Sequence, residues 1–278
     1  MDHIQSCATL NNGVKMPWLG LGVYKSKEGG EVEHAVKTAL KIGYRSIDTA
    51  SLYENERGVG QAIKESGIPR EEIFVTTKVW NDQQGYDSTL RAFEESREKL
   101  GLDYIDLYLI HWPVPGKFKE TWKALEKLYR DGLVRAIGVS NFQVHHLHDL
   151  LNDCEIKPAV NQVEFHPYLT QKELLAFCKE NNIQMEAWAP LMRGKVFQEP
   201  VIQEIAAKYG KTPAQVVLRW DLQHGVITIP KSVREERIRE NSEIFDFQLT
   251  AEEMEQIDRL NKNERTGPDP DVFVEQWR

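Results

Sequence analysis

An α/β fold, a closed (β/α)8 (TIM) barrel spanning residues 1–278, is what the sequence predicts, on three observations. Eight short β-branched or aliphatic runs alternate with longer helical patterns, and such alternation implies a parallel sheet. No Pro/Gly/Ser-rich linker or low-complexity stretch divides the 278 residues, and a single-domain barrel takes about 250. The polar residues with chemical potential fall where such barrels build their sites, at the C-terminal ends of the strands. They are Asp48, Lys78, His111, Ser140, Asn141, Gln162 and Lys231.

Taken in order, residues 9–16 carry an Asn12-Gly13 pair, a hairpin signal that suits a plug for the barrel bottom. Strands are expected at 19–23, 45–48, 73–78, 104–111, 134–140, 159–164, 184–188 and 226–229. Helical patterns between them cover 30–42, 86–100, 118–130, 171–181 and 213–223. Thr250, with Glu253 three residues on, reads as the capping box of an extra helix reaching residue 260. The tail 261–278 contains Gly267-Pro268-Asp269-Pro270 and is expected to be irregular.

Hydrophobic residues make up 41% and charged residues 28% of the chain, so a large core under a solvated surface is expected and disorder is not. The net charge of -8 argues against general affinity for nucleic acid or anionic membranes. An anionic cofactor needs only a local basic patch. Cys7, Cys154 and Cys178 have neither disulfide-framework nor zinc spacing. His145 and His148 lie one helix turn apart, yet no acid or cysteine in the sequence is aligned to complete a metal site. The N-terminus has no basic or apolar leader, and no run approaches the roughly 18 apolar residues of a membrane span. A cytoplasmic protein is expected, with no long exposed apolar seam to argue against a monomer.

Asp48, Tyr53, Lys78 and His111 place a carboxylate, a phenol, an ammonium and an imidazole at successive strand ends. A free phenol, with a pKa of about 10, is a poor acid at neutral pH. A neighbouring ammonium favours the phenolate and makes the tyrosine a better general acid.

Three stretches carry a family resemblance. They are 43–50 (Gly-Tyr-Arg-Ser-Ile-Asp-Thr-Ala), 132–142 (Gly-Leu-Val-Arg-Ala-Ile-Gly-Val-Ser-Asn-Phe) and Ile229-Pro230-Lys231-Ser232 followed by Arg237, Glu240 and Asn241. On these, the chain resembles the aldo-keto reductases, most nearly the bacterial glyoxal/methylglyoxal and 2,5-diketo-D-gluconate reductases. The resemblance implies NADPH-dependent reduction of small aldehydes and ketones. Tyr53 would be the proton donor, Lys78 would tune it, Asp48 would hold Lys78, and His111 would orient the carbonyl.

No complete GxGxxG follows Gly20-Leu21-Gly22 or Gly58-Val59-Gly60, so a Rossmann grip is not expected. Ser140, Asn141 and Gln162 suit a nicotinamide carboxamide, and Trp188 suits ring stacking. The resemblance adds Gly22, Val23, Asp48, Pro190 and Leu191 to the cofactor set. It also implies an adenosine 2′-phosphate site at Lys231, Ser232, Val233 and Arg237, and adenine contacts at Glu240 and Asn241. Tyr24, Trp80 and Trp112, with His111, are expected to line an open substrate pocket suited to methylglyoxal, glyoxal or simple aromatic aldehydes. Ala189, where relatives carry a serine, removes one hydroxyl beside the cofactor. Two alternatives are an NADPH-binding or sensing module with little turnover and a Schiff-base enzyme using Lys78.

Overall fold

The computed structural model describes residues Met1–Arg278. The chain opens with an antiparallel hairpin of β1 (Cys7–Thr9) and β2 (Lys15–Pro17). Alternation then runs β3 (Leu21–Gly22), α1 (Gly30–Ile42), β4 (Ser46–Asp48), α2 (Glu56–Glu65), β5 (Phe74–Val79), α3 (Tyr86–Leu100), β6 (Ile105–Ile110), α4 (Phe118–Arg130) and β7 (Val134–Ser140). It continues through α5 (Val144–Asp153), β8 (Val160–Glu164), α6 (Lys172–Glu180), β9 (Gln184–Trp188), α7 (Pro200–Tyr209), α8 (Pro213–Gln223) and β10 (Ile227–Thr228). Helices α9 (Glu235–Ser242), α10 (Ala251–Asp258) and α11 (Pro270–Phe273) complete the chain.

Strands β3 to β10 form one parallel sheet in sequence order. The first and last strands meet through single parallel bridges, Leu19 with Thr228 and Gly22 with Lys231. Gly20 N–H donates to the Thr228 carbonyl at 3.0 Å, and Thr228 N–H to the Trp18 carbonyl at 3.0 Å. This closes the barrel. The sparse pairing at the seam is why β3 and β10 are shorter than the sequence pattern suggests. Gly22 is required there, because a Cβ would sit 2.9 Å from the Ile229 carbonyl oxygen.

Two apolar cores follow from side chains alternating along each strand. Outward-facing residues such as Ile47, Val75, Val79, Tyr108, Ile110 and Val139 join the helices in one large cluster. At the bottom, Phe74, Leu107, Leu109, Ala136, Val160 and Ile227 meet Ala8, Leu10 and Met16 from the hairpin. The hairpin therefore plugs the barrel bottom. The polar groups are left to the other end.

The extra helix is α10. Thr250 Oγ1 accepts the Glu253 N–H at 3.1 Å while Glu253 Oε1 accepts the Thr250 N–H at 2.8 Å. The tail departs from the irregular course expected of it. Asp269 caps α11 by accepting the Asp271 N–H at 2.8 Å, with Pro270 at the first helical position. A 3-10 turn, Val274–Trp277, follows. Gly-Pro-Asp-Pro marks a break, but Asp-Pro is also a helix start. No helix is long and apolar enough to cross a membrane.

Candidate active site

A cavity of about 530 Å³ opens at the C-terminal end of the barrel, within the size range of small-ligand sites. Beneath its floor of Asp48 and Tyr53, Lys78, fully buried on β5, makes three hydrogen bonds. Its Nζ donates to Asp48 Oδ1 at 2.6 Å, to the Thr49 carbonyl at 2.9 Å and to the Tyr53 hydroxyl at 3.1 Å. Asp48 closes β4, and the 3-10 turn Ser51–Tyr53 swings the phenol back over it. His111 follows β6, with its ring centroid 5.8 Å from that of Tyr53.

Burial pulls the Lys78 ammonium down, but Asp48 and Tyr53 outweigh it and hold it above its ordinary range. Lys78 therefore stays protonated with all three N–H groups engaged. It has no lone pair to attack a carbonyl, and the Schiff-base alternative loses its nucleophile. Burial raises the Tyr53 phenol, and Asp48 adds to this, while Lys78 pulls it down. The net direction is upward, against the sequence-based expectation of a lowered phenol, because dehydration outweighs the ammonium. Burial, then Lys78, pushes His111 well below the usual imidazole range, so its ring is neutral at neutral pH. The arrangement pairs a protonated phenol with a neutral imidazole around one small volume. A carbonyl oxygen there can receive a proton from one and a hydrogen bond from the other.

The wall opposite is built on the ends of β7 to β9. Ser140 Oγ donates to the Gln162 carbonyl at 2.7 Å. Asn141, in a left-handed conformation (φ 64°), donates Nδ2 to the His111 carbonyl at 3.0 Å and accepts Trp188 Nε1–H at 2.8 Å. Trp188 is thereby fixed as a flat wall. A Cβ on Gly267 would sit 2.4 Å from Trp188 Cη2, so the tail passes this ring only as glycine.

Of the residues expected from the sequence, Asp48, Tyr53, His111, Tyr24, Trp80 and Trp112 border this cavity, as do Gly22, Ser140, Asn141, Gln162, Trp188, Pro190, Leu191 and Lys231, while Lys78 lies buried behind Asp48 and Tyr53. Six expected cofactor residues do not line it. Val23 is fully buried just beyond β3, where its N–H donates to the Asp48 carbonyl on β4 at 3.2 Å. Val233 packs half-buried on the main core. Ser232 shapes the turn into α9, its Oγ accepting the Arg234 N–H at 3.1 Å. Glu240 and the buried Asn241 belong to the packing of α9, the Glu240 carbonyl accepting Gln215 Nε2–H at 2.9 Å. Arg237 lies on α9, 5.8 Å over the Phe197 ring. It pairs with no carboxylate, whereas its neighbours Arg234 and Arg239 pair with Glu236 and Glu235.

Ala189, expected beside the cofactor, also lines the cavity, as do residues missed in the sequence: Lys25, Leu52, Arg193, Ile229, Pro230, Pro268 and Phe273. Arg193 (φ 52°) sits in a loop where Ala189 and Met192 are also left-handed. Phe273 corrects the picture of an open pocket. It lies 4.6 Å from Trp112 and 6.3 Å from Trp80 by ring centroids, and Trp277 adds a contact to Trp80 at 5.5 Å. The tail is anchored by Glu164, fully buried beside His166 at 2.7 Å. Glu164 accepts the N–H groups of Thr266 at 2.6 Å and Gly267 at 3.1 Å and the Thr266 hydroxyl at 2.9 Å. Burial raises its carboxyl, but His166 and then these tail donors outweigh that and hold it below the usual range.

The tail also supplies the acid missing near the histidines. Asp271 Oδ1 lies 3.0 Å from His145 Nε2 and 3.2 Å from His146 Nε2. His146 Nδ1 already accepts the Gln143 N–H at 2.9 Å. The His146 ring thus spends its Nδ1 lone pair on the backbone.

Comparison with known proteins agrees with this geometry. The model of the Aldo/keto reductase family matches residues 19–262. The glyoxal reductase of Bacillus subtilis (strain 168) is 63% identical over 271 residues, 98% of each chain. The methylglyoxal reductase of Salmonella typhimurium is 49% identical over 268 residues, 95% of this chain and 96% of that one. The solved structure of a Bombyx mori aldo-keto reductase in complex with NADP superimposes with a TM-score of 0.90 at 39% identity, covering 96% of this chain and 97% of that one. With a closed barrel, the Asp48–Lys78–Tyr53 chain beside His111, and a family match running from the first barrel strand past α10, this protein belongs to the aldo/keto reductase family.

Proposed function

We propose that the protein, acting as one (β/α)8 domain over residues 1–278, reduces small aldehydes and ketones with NADPH. Methylglyoxal, glyoxal and simple aromatic aldehydes are the substrate class. The observation that carries the reading is Lys78 Nζ bonded at once to Asp48 and the Tyr53 hydroxyl on the cavity floor. Bound NADPH would supply a hydride to the carbonyl carbon. Tyr53 gives its hydroxyl proton to the carbonyl oxygen, and Lys78 stabilises the tyrosinate left behind. Asp48 holds Lys78 in place, and the neutral His111 donates a hydrogen bond that orients the carbonyl. Gln162 would face the nicotinamide carboxamide and Trp188 would stack on its ring, both lining the cavity. Lys231 and Arg237 take the 2′-phosphate, supported by the absence of any carboxylate on Arg237.

NADPH consumption tests the reading directly. It should require both an aldehyde and Tyr53. NADPH binding without aldehyde-dependent consumption would move the protein to a sensing role. Arg237→Ala should weaken NADPH about tenfold to a hundredfold, the worth of one charge-assisted contact, and leave NADH nearly unchanged. Equal losses for both cofactors would remove the phosphate assignment.

Phe273 makes the substrate wall. Phe273→Ala should raise KM for a small aldehyde about fivefold with kcat little changed, since about 1 kcal/mol of apolar contact is lost from ground and transition states alike. An unchanged KM would show that the tail does not touch the substrate. The reading extends to a cytoplasmic monomer that binds no nucleic acid, consistent with the net charge of -8. A dimer in light scattering, or retention on immobilised DNA at physiological salt, would revise it.

A further inference from the structure

Beside the catalytic chain lies a second buried carboxylate that the proton transfer does not use. Glu186 is on β9, inside the barrel, in register with Gln162 on β8. Gln162 Nε2 donates to Asp48 Oδ2 at 2.6 Å and to Glu186 Oε1 at 2.8 Å. Both amide hydrogens are therefore used, and by two different carboxyl groups. An ionised Asp48, the partner of Lys78, must face the NH2 end of the amide, not its oxygen. One such bond still leaves the amide free to rotate about it. A second acceptor on the same NH2 defines the amide plane, and the position of Oε1 then follows.

We propose that Glu186 is a positioning residue: together with Asp48 it holds both hydrogens of the Gln162 amide, aiming Oε1 at the carboxamide NH2 of the bound nicotinamide. This rests on the reading that Gln162 faces the carboxamide. Gln162 lines the cavity, and its Oε1 takes no hydrogen bond from the protein. The carboxamide in turn sets the rotation of the ring from which hydride leaves. Glu186 reaches reactivity through Gln162 and touches neither substrate nor Tyr53. The charged groups near it are Asp48 on β4 and Lys78 on β5, while its β10 partner is the apolar Ile227.

The environment of Glu186 fits an acceptor held for geometry rather than charge. It is fully buried, Oε2 has no partner, and no cation contacts it. Burial, and then the facing Asp48, pushes its carboxyl up to about 8, so it is neutral at neutral pH. A glutamine at this position would offer the same acceptor oxygen, and a leucine of similar bulk would not.

The test compares dissociation constants for NADPH and for its 3-acetylpyridine analogue, in which a methyl ketone replaces the carboxamide and no N–H remains. The full-length wild type, Glu186→Gln and Glu186→Leu are each titrated by fluorescence. The wild type should favour NADPH about tenfold, the worth of one hydrogen bond. Glu186→Gln should keep that preference, and Glu186→Leu should reduce it to about twofold by weakening NADPH alone. A wild type that does not discriminate would mean Gln162 does not face the carboxamide. Discrimination that persists in Glu186→Leu would overturn the role of Glu186 while leaving the Gln162 reading intact. Equal loss in both variants would also overturn it, since the acceptor oxygen would then not be what matters.

Discussion

Tyr53→Phe is expected to lower kcat for aldehyde reduction by about 10³-fold, roughly 4 kcal/mol, while the NADPH dissociation constant changes less than twofold. The variant keeps the ring that packs 5.1 Å from Tyr24 and loses only the hydroxyl that Lys78 contacts. The pH dependence follows from the sign of the shift. The donor must be protonated, and burial holds the Tyr53 phenol above its ordinary 10.0. Reduction should therefore stay flat through neutral pH and decline only in the alkaline range. The reverse reaction, which needs the tyrosinate, should accelerate as pH rises. Single-turnover kinetics with prebound NADPH would separate the chemical step from product release. A kcat within tenfold of wild type, or equal losses in turnover and cofactor binding, would remove Tyr53 as donor.

Lys78→Met should damage folding and catalysis together. Asp48 would be left as a buried carboxylate without its cation, which costs about 3–5 kcal/mol. The ammonium that opposes burial at Tyr53 would also be gone, so the phenol would move further up and become a weaker acid. In the wild type Lys78 is held above its ordinary 10.5, so its contribution to stability is fully present below that pH. It is lost only as pH rises through the folded-state value. The double variant Asp48→Asn/Lys78→Met separates the two effects. It should recover most of the stability lost by Lys78→Met, measured by chemical denaturation, and little of the activity. Additive stability losses in the double variant would contradict direct pairing of the two residues. Recovered activity would contradict the role of Lys78.

Asp48, Tyr53, Lys78 and His111 were legible as a group because each lies at or just beyond the end of a short buried strand, and strand ends in a closed barrel converge on one rim. Asp48, Lys78 and His111 needed only the strand pattern to be brought together. The hairpin and the box-capped α10 were legible because their signals are local: Asn12-Gly13 for one, Thr250 with Glu253 for the other.

The tail was misread for a physical reason. Gly267-Pro268-Asp269-Pro270 breaks one segment and caps the next, and local chemistry does not say which effect wins. Here Asp269 and Pro270 start α11, and Glu164, more than a hundred residues earlier, anchors the chain leading to it. Phe273 reaches Trp112 only because of that anchor. Glu164 and Glu186 looked like ordinary acids in apolar strands. Their partners, Thr266 with Gly267 and the Gln162–Asp48 pair, lie on other elements, so nothing near them in the sequence marked their use. The direction of the Tyr53 shift was also beyond reach, because it depends on how much water the folded site removes.

The sequence by itself determined the barrel, its plugged bottom, and which strand ends carry the acid, amine, phenol and imidazole. These follow from periodicity and local turn chemistry, which act over a few residues. Only the tertiary structure decided the helical tail that walls the pocket, the buried acids behind Gln162 and Trp188, and the upward shift of the Tyr53 phenol. Each of these depends on distance and dehydration between residues far apart in the chain, quantities that exist only once the barrel has closed.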